Sequence, residues 1–149
     1  MLDVLQLEDV RVRLSICTYN DDEKPGFIGG NAGSFFPPLN EFVYLRAEVA
    51  NLSGRWICHI RVNQASHCST FPAKQVTLVL DVTISPSDHV LYEGVLSGIP
   101  VGHVNGGESY KLDIPLTFIA CGRFEVIATT HIPDQTSSAG HGHITAFVK

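Results

Sequence analysis

The sequence predicts an all-β fold, an antiparallel sandwich of seven to nine strands, and three observations predict it. Apolar residues recur at every second position in many short stretches, the mark of strands with one buried face. Turn signals built from Gly, Pro, Asn and Asp separate these stretches at intervals of about 10–15 residues. No window carries a helical stripe of apolar residues.

The first strand is expected over Leu7–Tyr19, where Val12, Leu14 and Ile16 alternate with Arg11, Arg13 and Ser15. Residues 19–40 follow, rich in Gly, Pro, Asn and Asp and without a sustained period, and they read as a long loop. Loops beyond about 15 residues are uncommon inside a compact domain and tend to carry function. A second strand is expected at Glu41–Leu52, with Val43, Leu45, Ala47 and Val49 on one face and Tyr44, Arg46 and Glu48 on the other. Asn51-Leu52-Ser53-Gly54 closes it as a turn.

Trp56–Val62 reads as the third strand and residues 63–73 as a polar loop. Val76–Ile84 is the fourth, with Val76, Leu78, Leu80, Val82 and Ile84 facing inward. Val90–Leu96 and Ile99–Val104 supply the fifth and sixth. Asn105-Gly106-Gly107 is a tight turn, because glycine takes positive φ without penalty. In the strand at 109–119, Tyr110, Leu112, Ile114, Leu116 and Phe118 face one way and Lys111, Asp113, Pro115 and Thr117 the other. After Cys121-Gly122 the alternation resumes at 123–131 with Phe124, Val126 and Ala128. Residues 133–142 read as a flexible stretch before a closing strand at His143–Val148. Strands in this number and spacing suggest the immunoglobulin-like type of sandwich. The antibody signature is missing: Trp56 precedes Cys58 by two residues instead of lying on the next strand, so Trp56 reads as a core or edge anchor and no Cys58–Cys121 bridge is expected.

Size and composition bound the function. A chain of 149 residues with 44% apolar and 17% charged residues is expected to fold as a single domain over 1–149 around its own core. Its net charge of −5 and the lack of any Lys/Arg cluster disfavour nucleic acid and anionic membrane surfaces as direct ligands. No apolar run approaches the roughly 18 residues that would span a bilayer. The N-terminus lacks the basic start and small-residue cleavage site of a signal peptide. The four cysteines are therefore expected as reduced thiols of a cytosolic protein. Asn51-Leu52-Ser53 is a formal glycosylation sequon that matters only in a secreted chain.

The chemistry-bearing residues form no recognisable reaction centre. Cys58-His59 and His67-Cys68 invite a zinc reading, but neighbours on a strand point to opposite faces and cannot share one ion without distortion. His141-Gly142-His143 reads as a solvated loop. The acidic run Asp21-Asp22-Glu23 lacks the ligand order of a calcium loop, and the glycines of 26–33 lack the strand–helix setting of a phosphate loop. No catalytic residue, metal or cofactor is assigned, and an enzyme is not expected. The feature that stands out is apolar residues where a loop should be polar: Phe27, Ile28, Phe35, Phe36 and Leu39. Either they fold back over an open end of the sandwich and extend its core, or some stay exposed as interface anchors.

Leu91-Tyr92-Glu93-Gly94-Val95-Leu96, Ile99-Pro100-Val101-Gly102, Gly107-Glu108-Ser109, Ile114-Pro115-Leu116-Thr117-Phe118 and Gly122-Arg123-Phe124-Glu125 together go beyond a generic sandwich. This run resembles the C-terminal immunoglobulin-like region of the large TRAPP II-specific subunit, a hypercellular protein A-like vesicle-tethering scaffold. Gly106 stands where that pattern has proline. The resemblance implies one terminal sandwich of a longer subunit, cytoplasmic and peripherally associated with the Golgi. Its partners would be other subunits of a multisubunit tether, with a Rab GTPase reached indirectly and no membrane insertion. Nucleotide exchange belongs to small core subunits of that complex, so no catalytic residue carries over. The competing reading is an extracellular adhesion or carbohydrate-binding sandwich with disulfides and a glycan at Asn51; a third is a small metal enzyme using the His and Cys residues.

Overall fold

The computed structural model describes residues 10–19, 25–27, 33–53, 56–59, 67–70, 76–133 and 138–149, with backbone placement alone for 19, 25–27, 56–59, 67–70, 76 and 138–139. Twelve strands run through them: β1 (Val10–Tyr19), β2 (Pro25–Phe27), β3 (Ser34–Phe35), β4 (Phe42–Asn51), β5 (Trp56–His59), β6 (His67–Thr70), β7 (Val76–Ser85), β8 (Val90–Tyr92), β9 (Ile99–Val104), β10 (Ser109–Phe118), β11 (Gly122–His131) and β12 (Ser138–Val148). They form two five-stranded sheets, β2-β1-β4-β10-β8 and β3-β12-β11-β7-β9, plus a separate β5-β6 pair. This is an immunoglobulin-like all-β sandwich, as the alternation predicts.

The period-two pattern places the core between the sheets. Val43, Leu45, Ala47 and Val49 of β4 are all fully buried, as are Leu78 and Leu80 of β7. Val82, Ile84, Ile114, Leu116, Phe118, Phe124, Val126, Ala128, Ile144, Ala146 and Val148 complete most of the layer. Phe118 and Phe124 meet edge to face with centroids 4.9 Å apart, joining the two sheets through β10 and β11. Tyr110 keeps the expected facing, opposite buried Val49, but near the start of β10 it is 40% exposed.

Several boundaries differ from the sequence reading, each for a local reason. The 19–40 stretch is not a plain loop: β2 pairs antiparallel with the outer side of β1, and β3 pairs parallel with β12. One crossing segment thus supplies an extra strand to an edge of each sheet, which leaves fewer unpaired backbone groups exposed. Residues 63–73 likewise contain β6, paired with β5. The fifth strand stops at Tyr92, two residues before Gly94, which sits at φ +84°. Residues expected as flexible before His143 instead open β12 at Ser138. There Gly140 and Gly142 lie against β1: a Cβ on Gly140 would sit 2.9 Å from Val10 Cγ1, and one on Gly142 would sit 3.0 Å from the Val12 carbonyl oxygen. Glycine in this strand marks close approach of the two sheets.

The glycine turn behaves as expected. Glu108 N–H donates to Asn105 O (3.0 Å) and Gly107 takes φ +83° at the third turn position. Proline is common at the second position of such a turn, where Gly106 stands, so the departure from the family pattern leaves the turn intact.

Asn51 is the buried polar node beside it. Fully enclosed at the end of β4, it donates from Nδ2 to Val104 O (3.0 Å) and accepts at Oδ1 from Ser53 N–H (3.0 Å) and Ser53 Oγ (2.7 Å). Its backbone donates to Glu108 O and accepts from Gly107 N–H. The formal sequon is therefore a structural clasp, and its amide nitrogen is committed inside the fold, where a glycan has no room.

Candidate interaction surface

The five apolar residues singled out within 19–40 separate when placed on the fold. Phe35, on β3, is 9% exposed and belongs to the core, where it extends the packed layer. Its neighbour Phe36 turns outward, 48% exposed, and stacks on Phe147 of β12 with centroids 5.8 Å apart. Leu39 is half-buried against the core. Phe27 is placed through its backbone opposite Cys17, and Ile28 lies outside the described residues. Phe35 thus extends the core, while its neighbour Phe36 stays exposed.

A second apolar surface, which the sequence reading did not single out, begins six residues on. Phe42 pairs with Thr117, and Thr117 with Leu91, so Phe42, Thr117 and Leu91 form one row across β4, β10 and β8. Phe42 and Leu91 are 55% and 57% exposed. The next row pairs Tyr44 with Pro115, and Tyr44 meets Phe42 edge to face at 4.9 Å. A shallow groove of about 170 Å³ lies there, lined by Phe42, Leu91, Tyr92, Glu93, Pro115, Leu116 and Thr117. Val95 and Ile119 are also exposed.

One row further the face becomes polar. Arg46 grips Asp113 through two parallel bonds, Nε to Oδ1 at 2.8 Å and Nη2 to Oδ2 at 2.9 Å, and Glu48 stands opposite Lys111. The outer face of this sheet is thus apolar at one end and charged beyond it. The backbone explains which end: Asn40 N–H donates to Phe118 O, and Ile119 N–H donates to His89 O, so the 36–42 segment and β8 are both tied to the β10–β11 turn. The signal in the sequence was aromatic residues at outward positions 42 and 44, but the row with Leu91 exists only through strand register.

The outer face of the other sheet is mainly polar, apart from Phe147, on which Phe36 stacks, and exposed Ile127. Glu125 accepts from Arg123 Nε (2.7 Å) and Thr145 Oγ1 (3.1 Å) and pairs with His143. The bond from His143, aided by Arg123 and Thr145, holds the Glu125 carboxyl below the usual range against the opposing effect of burial. Asp81 pairs with His131 (2.9 Å) and accepts from Gly98 N–H (2.8 Å) and Ser97 Oγ (3.2 Å). Among the described residues no three His, Cys, Asp or Glu side chains are grouped to hold a metal, and no helix is long and apolar enough to cross a membrane. The 21–23 acidic run lies outside the described residues. The exposed apolar residues Phe42 and Leu91 thus gather at one end of the sandwich's first sheet.

Comparison with known proteins gives one family. The family model described as Trs120/TRAPPC9, fourth Ig-like domain, matches residues 9–142. No curated protein matches the sequence. Among solved structures, native alpha-2-macroglobulin of E. coli is similar in fold, with a TM-score of 0.51 and 19% identity over 76% of this chain and 6% of that one. A crystal structure of the same E. coli protein, from domain MG7 to the C-terminus, gives 0.51 and 18% over 76% of this chain and 15% of that one. The chain thus spans a small part of both, and they share its fold alone.

Proposed function

We propose, from the premise that this chain belongs to the Trs120/TRAPPC9 family as a fourth Ig-like domain, that it is a non-catalytic interaction module of a TRAPP II-type tether. In that reading the domain helps build the scaffold that holds the complex together at Golgi membranes, and it supports Rab GTPase activation by positioning other subunits. Family membership over nearly the whole chain is the observation that carries it. The surface is consistent: a rigid sandwich presents exposed Phe36, Phe42 and Leu91 around one end, and aromatic anchors dominate binding energy at interfaces. Phe36 and Leu39, with Phe27 and Ile28 on the same crossing segment, and the Phe42–Leu91 row form the proposed contact with a neighbouring subunit of the tether. Phe35 serves the core instead.

The test is affinity capture from cytosol with this chain as bait, beside a Phe36→Ser/Phe42→Ser/Leu91→Ser variant whose melting curve shows that it is folded. Recovery of TRAPP subunits by the parent chain and loss by the folded variant support the reading. Equal recovery by both moves the contact elsewhere, and an empty capture by a folded parent chain rejects the interaction role.

A further inference from the structure

We propose that β8 is a receiving edge: an extended segment of a neighbouring subunit adds alongside it as a further strand and seats one large apolar side chain between the two sheets. The inference rests on the reading of this domain as an interaction module and names how a contact is made.

Among the described residues β8 ends its sheet, with β10 on one side and no strand on the other. Bonded and non-bonded pairs alternate along an antiparallel ladder. Ile119 N–H donates to His89 O, so two residues further on Leu91 and Thr117 form the next bonded pair. Val90 and Tyr92 therefore direct their carbonyls away from β10, and Tyr92 its N–H as well. The following bonded pair would join Glu93 to Pro115, which has no N–H to donate, and the strand stops at Tyr92. Backbone groups turned outward in this way are a template for another strand. The nearby edge strand of the other sheet, β9, is blunted by Pro100 and by a register shift between Leu78 and Val79 of its partner β7. β8 carries no proline and leaves Leu91, Tyr92 and nearby Val95 exposed.

Successive side chains of an added strand point to opposite faces, and each face of β8 has an apolar recess. On the outer side lies the groove of Phe42, Leu91 and Pro115. On the inner side a cavity of about 170 Å³ opens between β8 and β7, lined by Val82, Ile84, Val90, Tyr92 and Leu96, with Thr83 and Ser87 completing it. An apolar cavity of about 150 Å³ holds a benzene ring, so this one takes a single Phe or Leu side chain. Main-chain bonds with pockets for alternate side chains are the elements of recognition by strand addition.

Charge selects the occupant. Exposed Asp88 precedes β8 and exposed Glu93 follows it, and no Lys or Arg lines either recess. Two copies of this chain paired through β8 would set these acids against each other, and like charges across a ladder are unfavourable. The fitting partner is an extended segment with a Phe or Leu anchor and a basic residue towards each end.

The test uses a capped peptide, Thr-Lys-Val-Thr-Phe-Thr-Lys-Thr, whose lysines stand as far apart as Asp88 and Glu93, titrated into this chain. Saturable binding is expected, with exchange of the Tyr92 amide hydrogen slowed about tenfold or more at saturation. Asp in place of the peptide's Phe should weaken binding at least tenfold. Tyr92→Pro and Tyr92→Ala both lose the ring, but only the proline loses the outward N–H, and no bond to β10 goes with it. Tyr92→Pro, shown to be folded by its melting curve, should bind at least tenfold more weakly than Tyr92→Ala. If it does not fold, Tyr92 exchange in the parent chain decides. No saturable binding at millimolar peptide, unchanged Tyr92 exchange, or equal binding by the two folded variants would overturn the proposal. Capture of TRAPP subunits from cytosol by folded Tyr92→Pro as fully as by Tyr92→Ala would overturn it too, while leaving the interaction role standing.

Discussion

At the scale of single residues, the buried polar and glycine positions decide most. Asn51→Ala strips Val104 O and Ser53 of their partners inside the fold, and leaving buried groups unsatisfied costs about 1–3 kcal/mol. We predict a loss of about 2–3 kcal/mol in urea unfolding, at the upper end because several bonds go together. Thr130 makes the opposite case. Its Oγ1 is buried with no partner among the described residues, so Thr130→Val should be neutral or stabilising by up to about 1 kcal/mol. Gly142→Ala pushes a methyl into the Val12 backbone and should cost about 1–3 kcal/mol. These roles were only partly legible. Asn51-Leu52-Ser53 reads correctly as a turn, but its burial depends on β9 and the 105–108 turn, far away in sequence. Gly140 and Gly142 read as flexible because their own segment lacks large apolar residues, and only Val10 and Val12 reveal the close approach.

Among elements, the long alternating strands were legible and the short ones were not. β4, β10 and β11 each hold enough residues to display a period of two, so their buried faces follow directly. β2, β3 and β6 are two to four residues long, and their strand character comes from the neighbour they pair with. The candidate surface divides in the same way. Phe35 and Phe36 are adjacent, and a period of two sends them to opposite sides once β3 is known. Phe35→Ala should therefore cost about 3 kcal/mol or more of stability, whereas Phe36→Ser should change stability little, within about 0.5–1 kcal/mol. Chemical denaturation of both variants checks the pair, and equal costs would contradict the division. On the β11–β12 face, Glu125 titrates below its unfolded value, so it contributes stability above the unfolded carboxylate range. That contribution is lost as pH falls through the lowered folded value. Glu125→Gln should flatten this part of the acid limb in a stability-versus-pH profile.

On the scale of the whole molecule, the fold class and family were within reach of the sequence, because turn chemistry and alternation recur along the chain. The exposed apolar row was not, since Phe42, Thr117 and Leu91 come from strands separated by up to 75 positions and need β10 between them. What results is a sandwich with one mainly polar sheet face and one face graded from apolar to charged. The most direct measurement is sedimentation of the full-length subunit from cell extract, carrying Phe36→Ser, Phe42→Ser and Leu91→Ser in this domain. The account predicts that the folded variant leaves the large tethering complex and runs as a smaller species. Undiminished co-sedimentation with the other subunits would contradict it.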